Sequence, residues 1–292
     1  MKLSGIDGGG SGCSFWVVVK SMELKVTRHR FGMLGGFVLA ALFLMVMQWH
    51  VAGMLAWAVG FWLAWGDEEK AVRRRMGMLF GCVGLLAVCN INTSTELWNF
   101  VQLGSAFTVV IVVPALVLRR TDPGVIRYRL VPVHWRKADV IYTILSVPLA
   151  WLVLKGYWAV NPELYTHWKL PPELDQGEIR RLFLGINGVG IWDELFFVNT
   201  VFGVLRSLFR FRVANAVQAV IYMAVLYDMA FTGIGPLVVY AFAWTQGSMF
   251  EKSEGLMWVL IVHLVVDFFL VAAIAGSYYP GLGMGYLWTH GV

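Results

Sequence analysis

The chain has 292 residues, of which 59% are hydrophobic and 14% charged. A soluble domain carries about 25% charged residues, so the composition excludes an ordinary soluble globule and points to a polytopic integral membrane protein. The net charge of +5 comes from basic residues split among several loops, which argues against a nucleic-acid-binding face.

Residues 1–31 read as a flexible leader. GIDGGGSGC is glycine-rich but lacks the Lys-Ser/Thr pair of a phosphate loop. SFWVVV is too short for a secretory signal. Met22 opens MELKVTRHRF, which reads as a natural start, with residues 1–21 as an over-extension. Nine apolar segments follow, at 32–48, 51–65, 76–91, 103–118, 140–158, 182–205, 215–231, 235–250 and 256–275. A straight span needs about 20 residues, so eight or nine transmembrane helices are expected. The stretch 32–65 reads either as a tight hairpin or as one span with an interfacial piece. β-barrel alternation is absent, so the fold class is all-α.

Basic residues mark alternate loops. They fall in the leader, in 66–75, in 119–139, in 206–212 and at Lys252; of the 23 Lys and Arg, only Lys155, Lys169, Arg180 and Arg181 fall on the other side. The positive-inside rule then places the N-terminus in the cytoplasm, and the expected location is the plasma membrane. Loop 121–138 divides an N-terminal part (32–139) from a C-terminal core (140–276), with 277–292 as a tail. Loop 159–181, with Pro171-Pro172, is the longest segment on the opposite side. Cys13, Cys82 and Cys89 have no metal-ligand spacing, and Cys82 and Cys89 fall in the third helix.

Polar residues inside the apolar segments concentrate in the core. The sixth segment, LFLGINGVGIWDELFFVNTVFGVL, holds Asn187, Asp193, Glu194, Asn199 and Thr200 with no Lys or Arg. The seventh holds Asn215, Gln218, Tyr222, Tyr227 and Asp228; the ninth holds His263 and Asp267. Intramembrane ionisable residues are costly, and their default reading is a functional site. His263 and Asp267 are i,i+4 neighbours and share a face, so the Asp can orient the imidazole. Heptad spacing pairs Asn187 with Glu194, and Asp193 with Thr200. Asp228 joins the Tyr222 face only if its helix kinks or ends there, and GIGP at 233–236 favours an ending. Depths counted along the helices place Glu194, His263 and Asp267 around one cavity open to the cytoplasm. Gln218 and Asn215 read first as packing groups.

These segments resemble the CPBP family, the CAAX-protease and bacteriocin-processing (Abi) intramembrane glutamic proteases, over residues 180–275. The first family motif, E-E-x-x-x-R, resembles WDELFFV, with Asp193 and Glu194 at the Glu positions and Val198 at the Arg position. The third, H-x-x-x-N, places His263 at the His and Asp267 at the Asn. The second, F-x-x-x-H, falls in QAVIYMAVLYDMAF in one of two registers, with Leu226 or Asp228 at the His position. The resemblance implies a metal-free peptide hydrolase. Asp193 or Glu194 would activate water and His263 would stabilise the oxyanion. Asp267 would orient that His, and Asp228 would substitute as partner.

The expected function is therefore an intramembrane endopeptidase acting on a membrane-associated peptide or protein, with membrane lipid as its surroundings. Tyr222, Tyr227 and Asn199 are its candidate substrate contacts. No cofactor is expected; a divalent metal ranks lower because one His is available. Two alternatives stand beside it. One is a catalytically silent relative that binds or protects a membrane partner. The other is a proton- or cation-coupled transporter, against which the lack of internal repeats counts.

Overall fold

A computed structural model describes residues 27–89 and 91–282. The leader before Thr27 and the tail after Leu282 lie outside the described residues. All regular structure in the described part is helical. Nine helices run in chain order: α1 (Arg28–Ala41, continued by a π turn, Leu42–Val46), α2 (His50–Trp65), α3 (Lys70–Val88), α4 (Leu97–Thr121), α5 (Lys137–Val160), α6 (Gln176–Asp193, continued to Arg206), α7 (Phe211–Tyr227), α8 (Gly235–Ser253) and α9 (Met257–Tyr278). Each expected apolar segment has its helix. Five helices are long and apolar enough to cross a membrane: α1 with its π turn, α4, α5, α6 and α9. This points to an integral membrane protein. The other four fall short in different ways: α2 and α7 are brief, and α3 begins with Lys70, Arg73, Arg74 and Arg75. Outward-facing Trp62, Ile144, Leu152, Leu184 and Leu237 are mostly exposed, as lipid-facing side chains would be.

The stretch 32–65 is a hairpin. Gly36 on α1 faces Gly60 on α2 so closely that a β-carbon at Gly36 would lie 2.6 Å from the Gly60 Cα. Small residues at such crossings let two helix backbones approach, and packing replaces the hydrophobic drive that lipid does not supply.

Ion pairs and backbone bonds collect the helix ends on two faces. On the basic face, Arg30 holds Asp67 (2.8 Å), Arg74 and Arg75 hold Asp122 (2.6 and 2.8 Å), and Arg206 holds Glu251 (2.9 Å). The loop after α4 is tied to the turn between α8 and α9 by Leu256 N–H donating to Arg129 O (2.9 Å). Burial works to raise the Asp122 carboxyl, but the two arginines prevail and hold it down at about 2. On the opposite face, Thr93 Oγ1 donates to His167 O (2.5 Å) and Tyr279 Oη to Pro171 O (2.6 Å). The alternation of basic loops read from the sequence is thus an arrangement in space, with helices running up and down between the two faces.

Candidate functional site

The sixth helix changes character at the acidic pair. It is α-helical through Asp193 and then a nine-residue π-helix from Glu194 to Phe202. A π-helix closes i→i+5 bonds and carries more residues per turn, and such insertions occur frequently at functional sites. The changed period separates Thr200 from Asp193, and Thr200 donates instead to Leu195 O (3.0 Å). Asn187, ahead of the π segment, donates to Phe183 O of its own helix (2.8 Å) and makes no bond to Glu194.

Glu194 is fully buried. Its Oε1 meets three side chains from three helices. His263 Nδ1 of α9 lies 2.7 Å away, Gln246 Nε2 of α8 donates at 3.0 Å, and Tyr222 Oη of α7 donates at 3.4 Å. Tyr222 Oη also lies 3.1 Å from His263 Nδ1. Gln246 is fixed in turn by donating to Val259 O (2.9 Å). On the far side of the imidazole, Nε2 faces Asp267 Oδ1 at 3.6 Å, an ion-pair distance too long for a hydrogen bond. The i,i+4 pair therefore shares a face. A neutral imidazole donates from one nitrogen and a cationic one from both; a ring set between two carboxylates is suited to passing a proton. Asp193 is also buried, lies within electrostatic reach of His263, Glu194 and Asp267, and has an Oδ1 with no partner.

Close packing of α6 on α9 depends on Gly190. A β-carbon there would collide with the Asp267 carboxylate and come within 2.9 Å of His263 Cδ2. Glycine at this position is what allows the acids of α6 to reach the His of α9.

A cavity of about 520 Å³ ends on this group. Asp193, His263 and Asp267 line it, whereas Glu194 does not. Tyr142 and Thr245, whose hydroxyls are 2.9 Å apart, line it toward the basic face, and Asn92–Thr95 and Trp168 line it toward the opposite face.

The remaining sequence candidates lie elsewhere. Asp228 caps the far end of α7 beside Gln48, and it neither lines the cavity nor bonds the Glu194 group. The helix does end there, as GIGP suggested, but the ending turns Asp228 outward. Tyr227 lies near Tyr157. Tyr222 and Asn199 are buried, and of the three expected substrate contacts none lines the cavity. Gln246 and Gly190 are the site residues that sequence reading missed. A lone Gln in an apolar helix was the available signal for the first. Cys82 is buried within α3, and Cys89 ends it. Among the described residues no group of three His, Cys, Asp or Glu is placed to hold a metal ion.

Comparisons with protein-family models, with curated proteins and with solved structures find no match to this chain.

Proposed function

We propose that this protein is an intramembrane endopeptidase whose active site is the Asp193–Glu194–His263 group, in a core resembling the CPBP proteases. The nine described helices would traverse the membrane, the five long ones fully, with the basic face cytoplasmic. The observation that carries this reading is the 2.7 Å contact of Glu194 with His263, beside a cavity lined by His263 and Asp193. Three helices that carry the resembling motifs meet there, α7 through the Tyr222 hydroxyl that contacts Glu194 and His263.

The chemistry follows from which groups face the cavity. Asp193, which lines the cavity, takes a proton from a cavity water as that water's oxygen bonds to a peptide carbonyl carbon. His263 is held from behind by Glu194. Its Nε2, at 3.6 Å from Asp267, has a proton left to donate to the carbonyl oxygen as negative charge develops there. The C–N bond then breaks, the proton passes from Asp193 to the leaving nitrogen, and the carbonyl is restored as a carboxylic acid. Apolar walls suit a membrane-embedded peptide and keep bulk water from the charged group. Asp267 orients the imidazole; Asp228, remote from this group, has no role in it.

Purified protein in liposomes, presented with a library of membrane-associated peptides, tests the reading. Cleavage by the wild type that falls about 10²-fold or more in Asp193→Asn supports it. Equal cleavage by wild type, Asp193→Asn and Glu194→Gln ends it. A wild type that captures a membrane partner on cross-linking and cleaves nothing would favour the binding reading.

A further inference from the structure

Glu194 has a second oxygen. Its Oε2 is buried and meets no protein partner. The same is true of both amide atoms of Asn199, both amide atoms of Gln218, and Oε1 of Gln246. These four side chains are at most 1% exposed. None of them lines the cavity.

Their placement has a direction. Asn199 is five residues beyond Glu194, about one π turn nearer the basic face. Gln218 is one turn before Tyr222 on α7, displaced the same way. One turn further, Asn215 donates to Trp244 O (2.9 Å) and Ser248 Oγ (3.3 Å) of α8. Gly247 makes the room: a β-carbon there would strike Asn215 Oδ1 and reach within 3.3 Å of Gln218 Oε1. Asn215, Gln218 and Tyr222 thus form one polar stripe of α7. It leads from Glu194 toward the Arg206–Glu251 pair at the basic face.

An orphaned buried polar atom is destabilising, and an apolar side chain of the same shape avoids that penalty. Two whole amides and a carboxylate oxygen in one region make a site for water, since a buried water makes about three hydrogen bonds to such groups. We propose that Asn199 and Gln218 hold a short file of water that carries protons between the Glu194–His263 pair and the basic face. Joined to the cavity on the other side, it gives the protein a proton path across the membrane.

The transfer balances without bond changes between heavy atoms. A proton arrives from the water file at Glu194 Oε2, the Glu194–His263 contact relays it, and His263 Nε2 releases one to cavity water beside Asp193 and Asp267. Tyr222 and Gln246 complete the groups facing Glu194. The path does not depend on peptide cleavage, so a protein that cleaves nothing can still conduct.

The test uses the full chain in liposomes with an entrapped pH-sensitive dye and an imposed pH difference. Wild type should dissipate the difference faster than protein-free liposomes. Gln218→Met and Asn199→Leu should return the rate to the protein-free level, with melting temperatures no lower than wild type. Hydroxyl-radical footprinting of the wild type supplies a check that needs no variant: Tyr222, though buried, should be modified by adjacent water. A wild-type rate equal to that of empty liposomes, Gln218→Met conducting as wild type does, or an unmodified Tyr222 would each overturn the proposal.

Discussion

His263 Nδ1 lies 2.7 Å from Glu194 Oε1, with both side chains buried and with Asp267 on the other side of the same imidazole. Two elements far apart in sequence, the π segment after Asp193 and the first half of α9, are locked together by this contact. Its worth is measurable. Breaking a buried pair by deleting one partner costs about 3–5 kcal/mol because the other charge is left unpaired. Glu194→Leu and His263→Leu should each lower stability in detergent by that order. The double variant should lose less than the sum, with a coupling of about 0.5–3 kcal/mol. Additive losses would mean that the two do not depend on one another.

Gly190 and Gly188 form a matched pair of tests. A methyl group at Gly190 meets the Asp267 carboxylate, while at Gly188 nothing lies within 4 Å. Gly190→Ala should spread α6 from α9 and lower both melting temperature and cleavage. Gly188→Ala should be neutral or stabilise by about 0.5–1 kcal/mol through helix propensity. Thermal unfolding of the two variants side by side reads the difference.

Asp122 gives a prediction in pH. Its carboxyl is held at about 2, below its ordinary 3.8, despite burial, by Arg74 and Arg75. A carboxyl depressed in the folded state stabilises the fold above its unfolded value and loses that contribution as pH falls through the folded one. Wild type should therefore lose stability between about pH 4 and pH 2. Asp122→Asn should start less stable at neutral pH and show a smaller loss over that window. Acid titration of unfolding in detergent checks it.

The cavity can be filled from its wall. Val153 lines it, whereas Val147 on the same helix faces outward. Val153→Trp should abolish cleavage with the fold intact, and Val147→Trp should leave cleavage unchanged. Equal rates in the two variants would place the substrate elsewhere.

Most helices were legible because their apolar runs are bounded by charged or Gly/Pro-rich loops; the break at Gln48-Trp49, which splits 32–65 into a hairpin, carries no such mark. The up-and-down arrangement was legible because basic residues mark alternate loops, and Arg30–Asp67 and Arg75–Asp122 now tie those loops together. His263 and Asp267 were placed on one face by regular α-helical spacing. The same arithmetic failed at Thr200, where the π-helix after Asp193 changed the period. Nothing in the residues ELFFVNTVF announces that change. Gln246 stayed hidden because a single amide on α8 carries no spacing signal, and its role appears only when α6 and α9 are brought beside it.

The most direct test of the account is single-turnover cleavage of a reconstituted peptide substrate in water enriched in heavy oxygen. The account predicts one heavy oxygen in the newly formed C-terminal carboxylate for wild type, and loss of product in Asp193→Asn and His263→Ala. Product formed at the wild-type rate by both variants would contradict it.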